Sequence, residues 1–153
     1  SEYTKDLFIQ DPAQLDTPES LFPDVNKLTQ NIKGNQILQV PELKYTAFAS
    51  YLMPLAGGST LELFGVYSWI DDVYYSPFET EEEKAESYDR TDIRATWTSA
   101  DKNWLVSGFV NNIFDDVGVL QVLRQGEDEF FRHSAGTTTP RMYGLEVTYS
   151  LGQ

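Results

Sequence analysis

Chemistry has few possible seats in this chain. His133 is the sole histidine and there is no cysteine, so a metal centre built from the usual nitrogen and sulfur ligands would have one imidazole to work with. No Gly-x-Ser-x-Gly elbow, His-Glu-x-x-His helix or glycine-rich phosphate loop occurs, and neither a catalysed reaction nor a cofactor is expected. Carboxylates are plentiful instead. Glu79, Glu81, Glu82 and Glu83 form a run in "FETEEEKAES", and Asp71-Asp72 and Asp115-Asp116 stand as pairs. Oxygen-rich clusters suit hard divalent cations, but like charges in a row are more simply a solvated loop tip or strand end, and that is the expectation for all three. The remaining candidate is "EDEFFRH", where Phe130, Phe131, Arg132 and His133 bring ring faces and a guanidinium together. Such a set on a loop can hold a small ligand by stacking and cation–π contact.

The elements that would position these groups must be inferred from composition and pattern. The chain has 153 residues and a formal net charge of −13. That balance argues against a nucleic-acid partner, whose phosphates want Lys and Arg. Acidic chains poor in aromatics read as disordered; here nine Tyr, nine Phe and three Trp predict a folded domain. Apolar stretches such as "YLMPLAGG" fall far short of the roughly 18 residues a spanning helix needs. The opening "SEYTKDLF" lacks the basic start and apolar stretch of a signal peptide, so the N-terminus reads as processed, truncated or engineered.

A different periodicity runs through most of the chain. In "YGLEVTYSL", Tyr143, Leu145, Val147, Tyr149 and Leu151 alternate with Gly144, Glu146, Thr148 and Ser150. Period two predicts a strand with one apolar and one polar face. Residues 43–53, 60–70, 88–98 and 103–114 repeat the pattern, and residues 1–9 offer one short further strand. Connections 54–59 and 99–102 are short; 10–42, 78–87 and 115–139 are long. Short and long loops that sort to opposite ends fit an antiparallel membrane barrel, with tight turns on one side and long loops on the other. A secreted acidic β-sandwich that binds carbohydrate through its aromatics also fits strands of this kind. Tyr51, Trp69, Trp97 and Trp104 lie toward strand ends, with Tyr143 and Tyr149 on the closing strand. Amphipathic rings are wanted there by a membrane interface, and they form a candidate aromatic girdle.

Four short segments carry a resemblance. "GNQILQVPE", "DDVYYSPF", "VNNIFDD" and "TTTPRMYGLEVTYSL" follow one another in order over residues 34–153. Together they resemble the closing strands of TonB-dependent outer-membrane receptors, siderophore receptors among them. Asn112-Ile113-Phe114-Asp115 matches the ending of that family's penultimate strand, and Pro140, Arg141, Tyr143 and Gly144 match the opening of its last one. The chain departs from the family in ending Leu151-Gly152-Gln153 rather than on an aromatic.

The resemblance implies an all-β fold: an antiparallel meander of five to six transmembrane strands, part of a larger outer-membrane β-barrel of about 22 strands. Residues 1–42 would be a strand end plus a long extracellular loop, and residues 43–153 the closing strands, with the plug domain absent. It implies outer-membrane transport of a scarce nutrient, most often a ferric siderophore, in a Gram-negative bacterium. Partners would be the remaining barrel strands and plug of the same receptor, the TonB complex, and outer-membrane lipid and lipopolysaccharide. Phe130, Phe131, Arg132 and His133 become candidate extracellular ligand residues. Tyr143, Gly144, Val147, Tyr149 and Leu151 become the signal read by the barrel-assembly machinery. A small stand-alone outer-membrane barrel is the nearest alternative.

Overall fold

The computed structural model describes residues 1–11, 29–124 and 132–151. Phe130 and Phe131 lie outside the described residues, as do Gly152 and Gln153. The chain divides into two units, one made of residues 43–71, 87–118 and 137–153, the other of residues 1–42, 72–86 and 119–136.

The first unit is a single five-stranded antiparallel sheet. Its strands are β3 (Lys44–Pro54), β4 (Thr60–Ile70), β7 (Tyr88–Thr98), β8 (Trp104–Asn111) and β11 (Met142–Tyr149), ordered β11-β8-β7-β4-β3. Every neighbour in the sheet is the next long strand in the chain, which makes it a meander. This is one continuous sheet with two ends, not the two packed sheets of a sandwich, and the barrel is not closed within this chain. The first tight turn is a one-turn 3-10 helix, Ala56–Gly58, with Gly57 and Gly58 at φ 80° and 87°. Only glycine takes that backbone without a Cβ penalty. Leu55 donates its N–H to the Ser59 carbonyl at 2.8 Å and closes the turn.

Register follows from these turns. Tyr45↔Trp69 and Met53↔Leu61 bracket the β3–β4 pairing, Leu61↔Trp97 and Gly65↔Ile93 belong to β4–β7, and Ile93↔Val110 to β7–β8. Leu145↔Gly108 and Val147↔Val106 join β11 to β8. The pairing carries the predicted alternation from strand to strand. One face collects Tyr51, Leu63, Ala95, Gly108 and Leu145 in a single cross-strand row. The other collects Ser50, Phe64, Arg94, Phe109 and Gly144. The apolar face is bare: Tyr143 is 82 % exposed, Leu145 71 % and Tyr51 66 %. Water-soluble sheets cover such a face. Among the described residues of this unit, only Ser107 and Asn112, both polar, have fully buried side chains.

Several expectations change at this level. The strand expected at 1–9 is reduced to β1 (Phe8–Gln10), which pairs with β2 (Thr29–Asn31) and not with the meander. Segment 115–139 is not a plain loop, because β9 (Val119–Arg124) and β10 (His133–Thr137) pair within it. The strand expected over 103–114 stops at Asn111, where the backbone turns left-handed at Asn112 (φ 54°). Leu151 lies beyond the end of β11.

The second unit holds the two-stranded pairings β1–β2, β9–β10 and β5 (Val73–Tyr74) with β6 (Lys84–Ala85). Among its described residues, the buried apolar ones are Ile32, Val73 and Ala85. Lys84 Nζ sits 3.1 Å from Asp72 Oδ2 and 5.8 Å from the centre of the Tyr74 ring. The Asp72 carboxylate beside it holds the Lys84 ammonium above its ordinary range.

Candidate functional site

The candidate site is the closing sheet and the polar knot at its long-loop end. On the apolar face, Tyr45 stacks on Trp69 at 5.6 Å and approaches Tyr67 at 6.0 Å near the long-loop end. Near the tight-turn end, Trp104 and Tyr149 meet at 4.6 Å. Between these clusters lies a shallow apolar depression of about 470 Å³. Small residues at Ala49, Gly65, Ala95 and Gly108 create it, flanked by Tyr51 and Ile93. Trp97 lies one residue from the end of β7 and Tyr143 one residue from the start of β11, whereas Tyr51 stands in the interior of β3 opposite Leu63. Tyr45 and Tyr67, which complete the long-loop cluster, were not singled out from sequence; their alternation with Trp69 was the available signal.

The polar face is less polar than its strand pattern implied. Phe48, Leu52 and Phe64 stand on it exposed, near the β3 edge. Elsewhere it is cross-linked by polar groups. Arg94 Nη1 donates to Glu146 Oε2 at 2.7 Å, Ser50 Oγ to Glu62 at 2.7 Å, and the Thr96 and Ser107 hydroxyls lie 3.0 Å apart. Gly144 stands on this face, opposite Phe109 and away from Tyr143, Val147 and Tyr149.

The knot joins two segments singled out in the sequence, "VNNIFDD" and "TTTPRMYG". Asn112 is 2 % exposed, and its side chain is fully used. Nδ2 donates to the carbonyls of Asp116 (2.8 Å) and Thr139 (3.2 Å), while Oδ1 accepts from the Asp116 N–H at 3.1 Å. The Asn112 N–H donates to Asp92 Oδ1 at 2.7 Å, and Arg90 Nε donates to the same carboxylate at 2.9 Å. Asp115 Oδ1 accepts the Arg141 N–H at 2.7 Å, and Asp116 Oδ2 accepts the Asp89 N–H at 3.0 Å. Asp115 is exposed, as expected of a strand-end charge, and Asp116 is half-buried, but the pair does more than meet solvent. Both carboxylates satisfy backbone donors that the end of a strand leaves unpaired.

The tight turn between β7 and β8 is organised in the same way. Asp101 accepts from the Ser99 hydroxyl, and the Asn103 N–H and Nδ2 donate to its two oxygens at 3.2 and 2.9 Å. These donors, Ser99 first, hold the Asp101 carboxyl below its usual range.

The candidate ligand residues fall differently. His133 opens β10 instead of sitting in a loop, and Arg132 and His133 are both exposed. Glu81–Glu83 form a one-turn 3-10 helix. Thr80 Oγ1 donates to Glu83 at 2.7 Å, and Glu79 accepts the Gln36 N–H. Among the described residues, no three His, Cys, Asp or Glu side chains converge to hold a metal ion, and no helix is long and apolar enough to cross a membrane.

A family model for "TonB dependent receptor-like, beta-barrel" matches residues 3–113. The chain belongs to the TonB-dependent receptor β-barrel family. That is a family of outer-membrane transporters of Gram-negative bacteria, not of enzymes. The family match contains "GNQILQVPE" and "DDVYYSPF" and reaches the Asn112-Ile113 step. The last strand, β11, lies beyond it and joins the receptor sheet through its pairing with β8. No curated protein and no solved structure matches the chain. The bare apolar face of the receptor sheet has a physical reason in this family, because a barrel strand turns one side to lipid. A secreted carbohydrate-binding sandwich is set aside.

Proposed function

We propose that this chain is the closing segment of a TonB-dependent outer-membrane transporter that takes up a scarce nutrient as its ferric siderophore. The observation that carries the reading is the family match over residues 3–113 on a meander with a bare apolar face. In this reading the face with Tyr143, Leu145 and Val147 meets lipid, and the face with Arg94, Thr96 and Glu146 meets the lumen. Strand length supports it. β4 has 11 residues, ten steps of about 3.3 Å, or roughly 33 Å. At a tilt of about 40° that covers some 25 Å of height, the height of a barrel's apolar band.

The long segments 10–42, 72–86 and 119–136 then lie outside the cell, and turns 55–59 and 99–103 in the periplasm. The aromatic pairs at the two ends of the apolar face serve as interfacial anchors. The remaining strands and the plug of the receptor, and TonB through the plug side, are the partners. Arg132 and His133, exposed at the start of β10, with Phe130 and Phe131 before them in sequence, are the ligand-contacting candidates.

The test is uptake of radiolabelled iron by cells expressing the full-length protein, with a panel of siderophores and with or without TonB. Uptake of at least one ferric siderophore that vanishes without TonB is expected. TonB-dependent uptake of a different nutrient, with no siderophore transported, would overturn the substrate assignment.

A further inference from the structure

The last strand carries a glycine where strand propensity asks for anything else. Glycine inside a strand weakens it and leaves a gap in the side-chain surface. Gly144 stands opposite Phe109 in the β8–β11 register, on the polar face. The Phe109 ring lies over it: a Cβ built on Gly144 would stand 2.6 Å from Phe109 Cζ and 2.9 Å from Cε1. The ring also carries a cation, with the Arg94 guanidinium 5.2 Å from its centre. Arg94 then reaches over β8 to Glu146, two residues beyond Gly144 on the same face of β11.

We propose that Phe109, Gly144, Arg94 and Glu146 form a register key that selects the pairing of β11 with β8 during barrel assembly. The logic is steric first. A slip of two residues keeps the faces correct but brings Met142 or Glu146 under the Phe109 ring, where only a hydrogen now fits. A slip of one residue turns the apolar side chains to the wrong face. The ion pair between Arg94 and Glu146 is 42 % and 53 % exposed, too solvated to supply much energy; it is a positional check, made only in the register that seats the ring. A ring covering a strand glycine is a known way of pinning register in sheets. The key is independent of what the transporter carries.

The sign of one substitution separates this from ordinary strand chemistry. By propensity, Gly144→Val should help the last strand. With the key in place it must hinder, because the branched side chain meets the ring. The variants are Gly144→Val, Phe109→Ala and the double variant in the full-length protein. Folded and unfolded forms are separated by gel migration with and without boiling. Cysteine pairs at Gly108 with Leu145 (native register) and at Val106 with Leu145 (two-residue slip) report the pairing on the opposite face. Gly144→Val should lower the folded-to-unfolded ratio by about tenfold or more, the scale of overpacking at a filled position, and should weaken the native cross-link. In the Phe109→Ala background the same change should be neutral or favourable. Gly144→Val that folds with an undiminished native cross-link would overturn the key. So would an equal loss with Phe109 removed.

Discussion

Replacing Asn112 by alanine tests the polar knot at its centre. The side chain makes three hydrogen bonds, two given and one accepted. Each is worth about 1 kcal/mol net, and more where a partner is left buried and unpaired. Alanine must also hold the left-handed backbone at φ 54°, at about 1–2 kcal/mol. The sum is roughly 4–5 kcal/mol. Asn112→Gly separates the parts, since it loses the same hydrogen bonds but accepts the backbone freely. It should therefore be less destabilised than Asn112→Ala by about 1 kcal/mol. The assay is urea unfolding of the full-length protein in lipid vesicles, followed by tryptophan fluorescence. An Asn112→Ala variant within about 0.5 kcal/mol of the parent, the range of an inert surface change, would refute the claim that this amide holds the ends of β8 and β11 together.

Three further outcomes follow from the same account. Val147→Arg on the apolar face should cost about 2–4 kcal/mol if it lies near the bilayer midplane, and Thr148→Arg much less; equal losses in the same urea titration would invalidate the assigned facing. Cysteines at Glu82 and Ala100, in a background without other cysteines, should respectively react and fail to react with an impermeant thiol reagent on intact cells; the reverse result would invert the topology. Asp101 contributes stability that is present above its ordinary pKa of 3.8 and lost as pH falls through its lower folded value. Asp101→Asn should therefore narrow the difference in unfolding midpoint between neutral and strongly acid pH, and an unchanged difference would show the turn carboxylate to be idle.

The five long strands were legible because period two persists over 8 to 11 residues in each, and tight turns at 55–59 and 99–103 leave few registers to choose. The short pairings were not. β5 and β6 have two residues each, too few for any periodicity, and "VLQVLR" in β9 carries apolar residues on both sides. The motif around Asn112 was visible as a resemblance, but its partner at Thr139 lies 27 residues away, and no local pattern announces such a contact. The only signal was an Asn, tolerant of left-handed backbone, followed by two acidic residues that can cap free N–H groups. Phe109 over Gly144 could have been anticipated from a glycine inside an otherwise strong strand. It was missed because the glycine was read for what it offers the assembly machinery, not for what covers it. The backbone-capping role of Asp115 and Asp116 was missed because a sequence shows carboxylates and not the backbone donors that a terminating strand leaves beside them.

The central claim is that the apolar face of this sheet meets lipid. Spin labels at Ile93, Arg94, Ala95, Thr96 and Trp97 along β7, in the full-length protein reconstituted into vesicles, test it most directly. Oxygen, which concentrates in hydrocarbon, should relax the labels at Ile93, Ala95 and Trp97 strongly and those at Arg94 and Thr96 weakly. Alternation of the opposite phase, or no alternation along the strand, would contradict the account.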